Sequence, residues 1–224
     1  MENIRRRALV VGASGGIGRA ISEELIARGH EVMTLSRSID GLDITNEESI
    51  KRVIGGLDGQ FELMVVTTGA LVIENYQPEK TLKALDPNAL SQQFALNAAG
   101  PALLLKHLIP FIPKDHPAVF AALSARVGSI SDNRLGGWYA YRASKAALNQ
   151  LIHTSAIELA RSHKQLVCVA LHPGTVATSL TSNYRNHPSV TPEEAASNIL
   201  GVLEHLTPAE TGSFIDANGK PIPW

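Results

Sequence analysis

Cysteine, long apolar runs and excess charge are all scarce in this chain of 224 residues. Its one cysteine, Cys168, stands in an apolar run, so no intrachain disulfide can form and the thiol is expected to be a buried packing residue. No apolar stretch reaches the roughly eighteen residues of a membrane-spanning helix, and no signal-peptide pattern precedes the first apolar strand. We therefore expect a cytoplasmic protein without a membrane segment.

The charge balance is close to neutral. The 20 Lys and Arg residues nearly equal the 21 Asp and Glu residues, which leaves a formal net charge of −1 and gives no basis for binding nucleic acid. The eight histidines are scattered without the spacing of metal ligands, so no metal site is expected. With 44% hydrophobic residues, the chain can bury a substantial core, and residues 1–224 are predicted to form a single domain.

Apolar runs alternate with amphipathic segments along the whole chain. The runs predict strands at Arg7–Val11, Glu31–Ser36, Leu42–Thr45, Phe61–Val66, Ala118–Leu123, Leu166–Leu171 and Gly212–Asp216. Helices are predicted after the first strand and at Glu47–Leu57, Pro87–Leu108, Ala143–Ala160 and from Thr191 to Leu206. This alternation predicts an α/β fold, a single doubly wound Rossmann-type domain with a mostly parallel seven-stranded sheet.

A glycine-rich turn joins the first strand to the first helix. Gly12, Gly16 and Gly18 let the backbone turn tightly and let a phosphate approach the N-terminus of the helix. There the free N–H groups and the helix dipole favour negative charge. The turn therefore predicts a dinucleotide site.

The end of the second strand indicates which dinucleotide is bound. In dinucleotide-binding folds an acidic residue at this point holds the adenosine ribose and repels a 2′-phosphate. Here Ser36 and Arg37 stand there instead, and a hydroxyl and a guanidinium suit a 2′-phosphate. NADP(H) is therefore predicted over NAD(H). The alternative is that Arg37 is a solvated loop residue.

Tyr141 and Lys145 form the candidate acid/base pair. They lie four residues apart in a segment that predicts a helix, so both side chains belong to the same face. A neighbouring ammonium is expected to lower the tyrosine pKa and suit the phenol to proton transfer. Because tyrosine and lysine often occur at this spacing, the pair indicates catalysis only in combination with the dinucleotide turn.

Several strand ends should meet at one edge of the sheet. Right-handed crossovers place the glycine-rich turn, Thr67–Gly69, Ser124 and Pro173–Gly174 at the carboxyl edge. Tyr141 can reach the same edge from the helix that follows the strand ending at Leu123. The sequence therefore predicts a single site in which a dinucleotide meets an acid/base pair.

These motifs, in this order and spacing, resemble the short-chain dehydrogenase/reductase family over nearly the whole chain. In that resemblance Gly12, Gly16 and Gly18 look like the cofactor turn, Asp43–Ile44 the adenine-contacting pair, and the segment from Pro173 to Thr178 the nicotinamide-contacting segment. The run Gly136–Lys145 and the ending Gly219–Trp224 resemble the C-factor and sniffer-like carbonyl reductase branch.

The resemblance implies an NADP(H)-dependent oxidoreductase that acts on a small carbonyl or alcohol substrate, with Tyr141 as the general acid/base. Lys145 would also hold the nicotinamide ribose, and Asn97 would anchor a water for proton resupply. A homodimer or homotetramer is implied too; the apolar run Leu103–Leu105 fits an interface and a buried core equally well. The expected cofactor-binding residues are Gly12, Ser14, Gly16, Ile17, Gly18, Ser36, Arg37, Asp43, Ile44, Thr67, Gly69, Tyr141, Lys145, Pro173, Gly174, Val176 and Thr178.

Three positions depart from the family pattern. Val11 replaces a threonine, Thr67–Ala70 reads Thr-Thr-Gly-Ala instead of Asn-Asn-Ala-Gly, and Ala125 stands where the catalytic serine is expected. Ser124 lies one residue early, and neighbours on a strand point to opposite faces. Either a local bulge turns Ser124 inward, or Ser129 substitutes, or Tyr141 and water polarise the carbonyl alone. Ser124 is the favoured candidate.

Two further expectations concern function. Ala125 supports an alternative, an NADP(H)-binding sensor or signalling protein with little turnover, whereas the intact Asn97, Tyr141 and Lys145 set argues against it. The segment from Thr175 to Val190 is expected to close over the substrate. Leu180 and Tyr184 in that segment suggest a partly apolar pocket.

Overall fold

A parallel sheet forms the centre of the protein. The computed structural model describes residues 7–178 and 188–224, and in these the sheet has six strands in the order β2-β1-β3-β4-β5-β6. Every neighbouring pair of strands is parallel. The strands are β1 Arg7–Val11, β2 Glu31–Leu35, β3 Leu63–Val66, β4 Ala118–Leu123, β5 Leu166–His172 and β6 Phe214–Asp216. The doubly wound α/β prediction is confirmed.

The predicted strand at Leu42–Thr45 is wrong, which reduces the sheet from seven strands to six. After β2 the chain forms a single-turn helix, α2 Arg37–Asp40, which ends at Gly41 with φ +64°. Leu42 and Ile44 are both buried, each 3% exposed, as loop residues. A short apolar run is compatible with either a strand or a buried loop, and packing of these two side chains explains the misleading pattern.

Helices cover both faces of the sheet. They are α1 Gly16–Ala27, α3 Glu47–Ile54, α4 Pro87–Phe94, α5 Gly100–Leu108, α6 Tyr139–Leu159 and α7 Pro192–Leu203. Alternate strand residues point to opposite faces. Leu9 and Val11 accordingly pack with α3, α5 and α6 in one core cluster. Ala8 and Val10 pack with α1 and α7 in the other. Cys168 lies fully buried in the first cluster, as expected.

The predicted helix Pro87–Leu108 is present but contains a change of helical type. A π-helical turn, Ala95–Ala99, separates α4 from α5. Pro101 has no N–H to donate to the turn before it, which is a physical reason for irregular hydrogen bonding just ahead of it. The π turn matters for the site because it carries Asn97, which is completely buried.

The same stretch forms a long and apolar helical region. By length and composition alone, Pro87–Phe111 could cross a membrane, with a hydropathy of 1.2. In the fold, Leu104, Leu105 and Leu108 are buried in the core. The apolar run Leu103–Leu105 is therefore accounted for mainly by packing against the sheet and its neighbouring helices.

Candidate active site

The glycine-rich turn is held closely against the end of β3. Gly12 has φ +92°, and a Cβ there would lie 2.6 Å from Thr67 Oγ1. A Cβ on Gly18 would clash with the carbonyl oxygen of Gly12. Gly16 faces Thr178, whose Cγ2 would be 3.0 Å from an added Cβ. Gly12 and Gly18 thus allow close packing of the turn, and Gly16 allows Thr178 to approach the start of α1.

A cleft of about 680 Å³ runs from this turn to the end of β2. No side chain caps α1 at Gly15, so within the described chain its first N–H groups stay open to an anion. Predicted cofactor residues that line the cleft are Gly12, Ser14, Ser36, Arg37, Asp43, Ile44, Thr67 and Gly69. The turn, the open helix end and this lining fit a dinucleotide.

An acidic residue, Asp40, lies at the end of β2, although the residues directly after the strand, Ser36–Ser38, include none. The Asp40 carboxylate accepts a hydrogen bond from the Ser36 N–H at 2.7 Å. Ser36 Oγ accepts from the N–H of Ile39 at 3.2 Å and so caps α2. Ser36 is buried by these contacts, whereas Arg37 is exposed. In the sequence, this contact is visible only as a four-residue spacing between Ser36 and Asp40, which is about one helical turn.

Arg37 also lies near Asp43. The pKa of Asp43 is lowered mainly by the hydrogen bond from the Thr45 hydroxyl and less by the charge of Arg37. Thr45 Oγ1 donates to Asp43 Oδ1 at 2.6 Å. The end of the cleft beside β2 thus carries the exposed guanidinium of Arg37 and the firmly ionised carboxylate of Asp43.

Tyr141 and Lys145 lie side by side on α6, as their spacing predicts. The Lys145 Nζ is 5.9 Å from the centre of the Tyr141 ring, and it donates a hydrogen bond to Leu123 O at 2.9 Å. Only 8% of Tyr141 and 3% of Lys145 is exposed. Both line a small inner cavity of about 120 Å³ at the carboxyl ends of β4 and β5.

The expected lowering of the tyrosine pKa is wrong for the protein chain alone. Burial raises the pKa of Tyr141 to about 12 and lowers the pKa of Lys145 to about 8. Burial disfavours the phenolate and the ammonium alike. The cost of desolvation therefore outweighs the electrostatic attraction between the two groups. Helical spacing alone could not reveal this balance.

Asn97 lies behind the loop after β3. Its Oδ1 accepts from Ala70 N at 3.0 Å, and its Nδ2 donates to Ala70 O at 2.9 Å and also to Gln93 Oε1. A Cβ on Gly69 would lie 2.9 Å from Asn97 Oδ1 and 3.2 Å from Lys145 Nζ. Asn97 thus fixes the loop that separates it from Lys145. Its amide is occupied by protein groups and does not line either cavity near Tyr141.

The two serine candidates differ in position. Ser124 lines the inner cavity with Ala125, and its Oγ donates to Asn149 Oδ1 at 2.6 Å. Ser129 is buried elsewhere, and its Oγ accepts from the N–H of Asp132. Ser129 is therefore not brought to Tyr141. Ser124 is brought to Tyr141 in the inner cavity, but its hydroxyl proton points to α6 rather than into the cavity.

The segment after β5 completes the inner cavity. Four predicted nicotinamide-contacting residues line it: Pro173, Gly174, Val176 and Thr178. Ile17, a predicted residue of the glycine-rich turn, lines it as well. His172 and Trp138 were not predicted as site residues; His172 lines both the inner cavity and a wider outer one, and Trp138 lines the outer one. The expected contributions of Leu180 and Tyr184 lie outside the described residues.

Comparison with known proteins places this geometry among oxidoreductases. A family model described as enoyl-(acyl carrier protein) reductase matches residues 12–215. The 1-hydroxy-2-glutathionyl-2-methyl-3-butene dehydrogenase of Rhodococcus sp. (strain AD45) is 30% identical over 232 residues, covering 96% of this chain and 98% of the relative. The C-signal protein of Myxococcus xanthus is 32% identical over 135 residues, covering 60% of this chain and 78% of the relative.

Solved structures have the same fold. The NADPH-bound carbonyl reductase from chicken fatty liver gives a TM-score of 0.83 at 24% identity, covering 98% of this chain and 94% of the other. The carbonyl reductase Sniffer of D. melanogaster gives 0.81 at 21% identity, with 98% and 100% covered. A Burkholderia multivorans chain with bound NADP, described provisionally as a short-chain dehydrogenase/reductase, gives 0.80 at 26% identity, with 98% and 100% covered. The resemblance predicted from the sequence is confirmed.

Proposed function

Because this chain belongs to the short-chain dehydrogenase/reductase family, we propose that it is an NADP(H)-dependent oxidoreductase acting on a small carbonyl or alcohol compound. One observation carries the proposal: Tyr141 and Lys145 are buried side by side in a cavity that shares Thr67, Thr68 and Gly69 with the dinucleotide cleft. An acid/base group and a cofactor cleft thus meet at one sheet edge, where ligands of open α/β sheets bind.

The cofactor-binding residues divide along the cleft by chemistry. The open N–H groups at the start of α1 would hold the pyrophosphate, with Asp43 and Ile44 at the adenosine and the Pro173–Thr178 segment at the nicotinamide. When bound, the cofactor supplies or accepts the hydride. NADP bound to the Burkholderia multivorans relative supports the choice of NADP(H) for this chain.

Tyr141 would give its proton to the carbonyl oxygen during reduction. With a pKa of about 12, the phenol is protonated throughout the physiological range, which is the form that a proton donor needs. As the proton leaves, the nearby Lys145 ammonium would stabilise the phenolate. Asn97 would act by positioning, because it holds the Gly69–Ala70 backbone beside Lys145.

The replacement Arg37→Gln is expected to raise the Km for NADPH about 10- to 100-fold and to leave the Km for NADH nearly unchanged. A charge-assisted hydrogen bond to the 2′-phosphate is lost only with NADPH. The measurement is steady-state kinetics with each cofactor, and Arg161→Gln, another exposed arginine, is the control. Tighter binding of NADH than NADPH by the unmodified protein would overturn this assignment, in which case Asp40 and Asp43 would dominate the ribose site.

Ser124 can polarise the carbonyl if the Asn149 amide is rotated. In the described chain Asn149 Nδ2 is buried without a hydrogen-bond partner. Rotation of the amide would let Nδ2 donate to Ser124 Oγ and would free the serine proton for the cavity. Rotation also removes the cost of a buried unpaired donor.

Ser124→Ala is therefore expected to lower kcat about 100-fold, the lower end of what loss of one preplaced donor costs. Asn149→Asp should have a similar effect, because a carboxylate only accepts and would keep the serine proton turned away. The two changes should not be additive when combined, as kcat measurements on the single and double variants would reveal. Full turnover in Ser124→Ala would show instead that Tyr141 acts without a serine.

An NADP(H)-binding sensor with little turnover is the second candidate. Ala125 favours it, because a methyl group lines the cavity where the family has a hydroxyl.

A cytoplasmic location and a homodimer through the helices around Asn97 and Tyr141 are further proposals. Phe94 on α4 and Leu151 on α6 support the dimer, since they remain 39% and 38% exposed.

A further inference from the structure

The inner cavity opens into an outer cavity that the acid/base chemistry does not use. The outer cavity has a volume of about 710 Å³ and shares Ala125, Tyr141, His172 and Gly174 with the inner one. Its apolar lining is formed by Leu71, Val127, Leu135 and Trp138. A substrate whose carbonyl oxygen meets Tyr141 would therefore extend into this space.

Positive charge is concentrated around the outer cavity. Its described lining contains Arg126, Arg134 and Arg142 against one carboxylate, that of Asp132. This is an excess of cations in a chain whose overall formal charge is −1. His172 adds no charge at neutral pH, because burial lowers its pKa to about 4.

The three arginines differ in whether their guanidinium groups already bind other groups of the protein. Arg126 is paired with Asp132 at 3.2 Å and with Asp216 at 3.4 Å. Arg142 donates to the backbone carbonyls of Gly137 and Val127, at 3.0 and 3.3 Å.

Arg134 is the cation left for a ligand. It is exposed at the rim of the cavity and has no ion-pair partner anywhere in residues 7–178 and 188–224. Next to it Leu135 is 92% exposed, so the rim offers an apolar surface and a guanidinium together. A planar guanidinium binds a carboxylate through two parallel hydrogen bonds, which suits it to an acidic substrate.

We infer that the substrate is a carbonyl compound with an apolar body and a carboxylate at the far end, and that Arg134 binds this carboxylate. The inference rests on the proposed reductase function and narrows it to one class of substrate. The apolar lining would hold the body and Arg134 would hold the carboxylate. The cation at Arg142, whose hydrogen bonds are to neutral backbone carbonyls, would attract the carboxylate from further away.

The test compares 4-formylbenzoate with its neutral methyl ester as substrates for NADPH oxidation. Arg134→Gln is expected to lower kcat/KM for the acid about tenfold, mainly through KM, and to change the ester less than about twofold. Because each substrate is its own reference, the intrinsic reactivity of the two aldehydes cancels. Arg161→Gln, which removes an exposed arginine elsewhere, should leave both values unchanged. Higher salt should weaken the preference for the acid in the unmodified protein.

Binding of the same acid and ester aldehydes in the presence of NADP⁺ gives the same comparison without turnover, because NADP⁺ carries no hydride to transfer. An equal loss for acid and ester in Arg134→Gln, or no loss for either, would overturn the inference while leaving the reductase proposal intact. Arg134-dependent binding of the acid without any turnover would support the anion site and count against the reductase.

Discussion

Replacing Tyr141 with phenylalanine is expected to lower kcat for carbonyl reduction by about 10²- to 10⁴-fold, the range that a positioned general acid contributes. The change removes one oxygen and keeps the ring, whose edge packs against Trp138 with ring centres 6.3 Å apart. Folding and NADPH binding should therefore be retained. The measurement is NADPH oxidation with a panel of aldehydes, ketones and α-dicarbonyls, with cofactor binding measured in the same samples.

A matched control is available two residues away. Tyr139 also lies in the first turn of α6 but is 36% exposed, so Tyr139→Phe removes the same atom outside the inner cavity. This variant should keep normal turnover. Normal turnover in Tyr141→Phe would contradict the proposed mechanism. If the unmodified protein and Tyr141→Phe both bound NADPH tightly without turnover, the sensor function would become the better explanation and Ala125 a functional loss.

Replacing Lys145 with methionine is expected to abolish most turnover and at the same time to stabilise the fold. Burial lowers the lysine pKa from 10.5 to about 8, so at neutral pH the charged side chain costs the folded state about 3 kcal/mol relative to the unfolded chain. Methionine removes this cost but leaves Leu123 O without the Lys145 donor, a loss of about 1–3 kcal/mol. The expected net gain in the free energy of unfolding at neutral pH is therefore about 0–2 kcal/mol.

The pH dependence of this gain provides a sharper test than its size. The folded-state pKa lies below the unfolded value, so the charge-related cost is full below pH 8 and disappears as the pH rises towards 10.5. Urea denaturation should show that the advantage of Lys145→Met shrinks by about 2 kcal/mol between pH 7 and pH 10. Lys164→Met, at an exposed position, should show no such change. An advantage independent of pH would contradict the cost assigned to the buried ammonium.

Features that depend on local spacing could be predicted from the sequence. The alternation of apolar runs predicted six of the seven strands correctly, and the glycine spacing located the tight turn between β1 and α1. The four-residue step from Tyr141 to Lys145 correctly placed both side chains on one face of α6. In each case the relevant interactions lie within one element or between elements joined by a single turn.

Features that depend on distant contacts could not be predicted. Ser124 and Asn149 are 25 residues apart in the chain, and only packing of β4 against α6 reveals that they are hydrogen-bonded. Burial of Tyr141 depends on the whole cavity wall, so the sign of its pKa change was predicted wrongly. The apolar pair Leu42 and Ile44 was interpreted as a strand because the sequence does not indicate whether a buried segment pairs with a sheet.

In the loop after β3, a residue that departs from the family pattern depends on the side chains packed against it. Gly69 stands where the family has alanine, with φ +153° and with Asn97 Oδ1 only 2.9 Å from where a methyl group would be. Restoring the family residue at this one position would push against the amide that anchors the neighbouring backbone. The segment Thr67–Ala70 therefore has to be considered as a unit with Asn97. Substitutions transferred singly from relatives would meet a different steric background here, so their effects in those relatives are a poor guide to their effects in this chain.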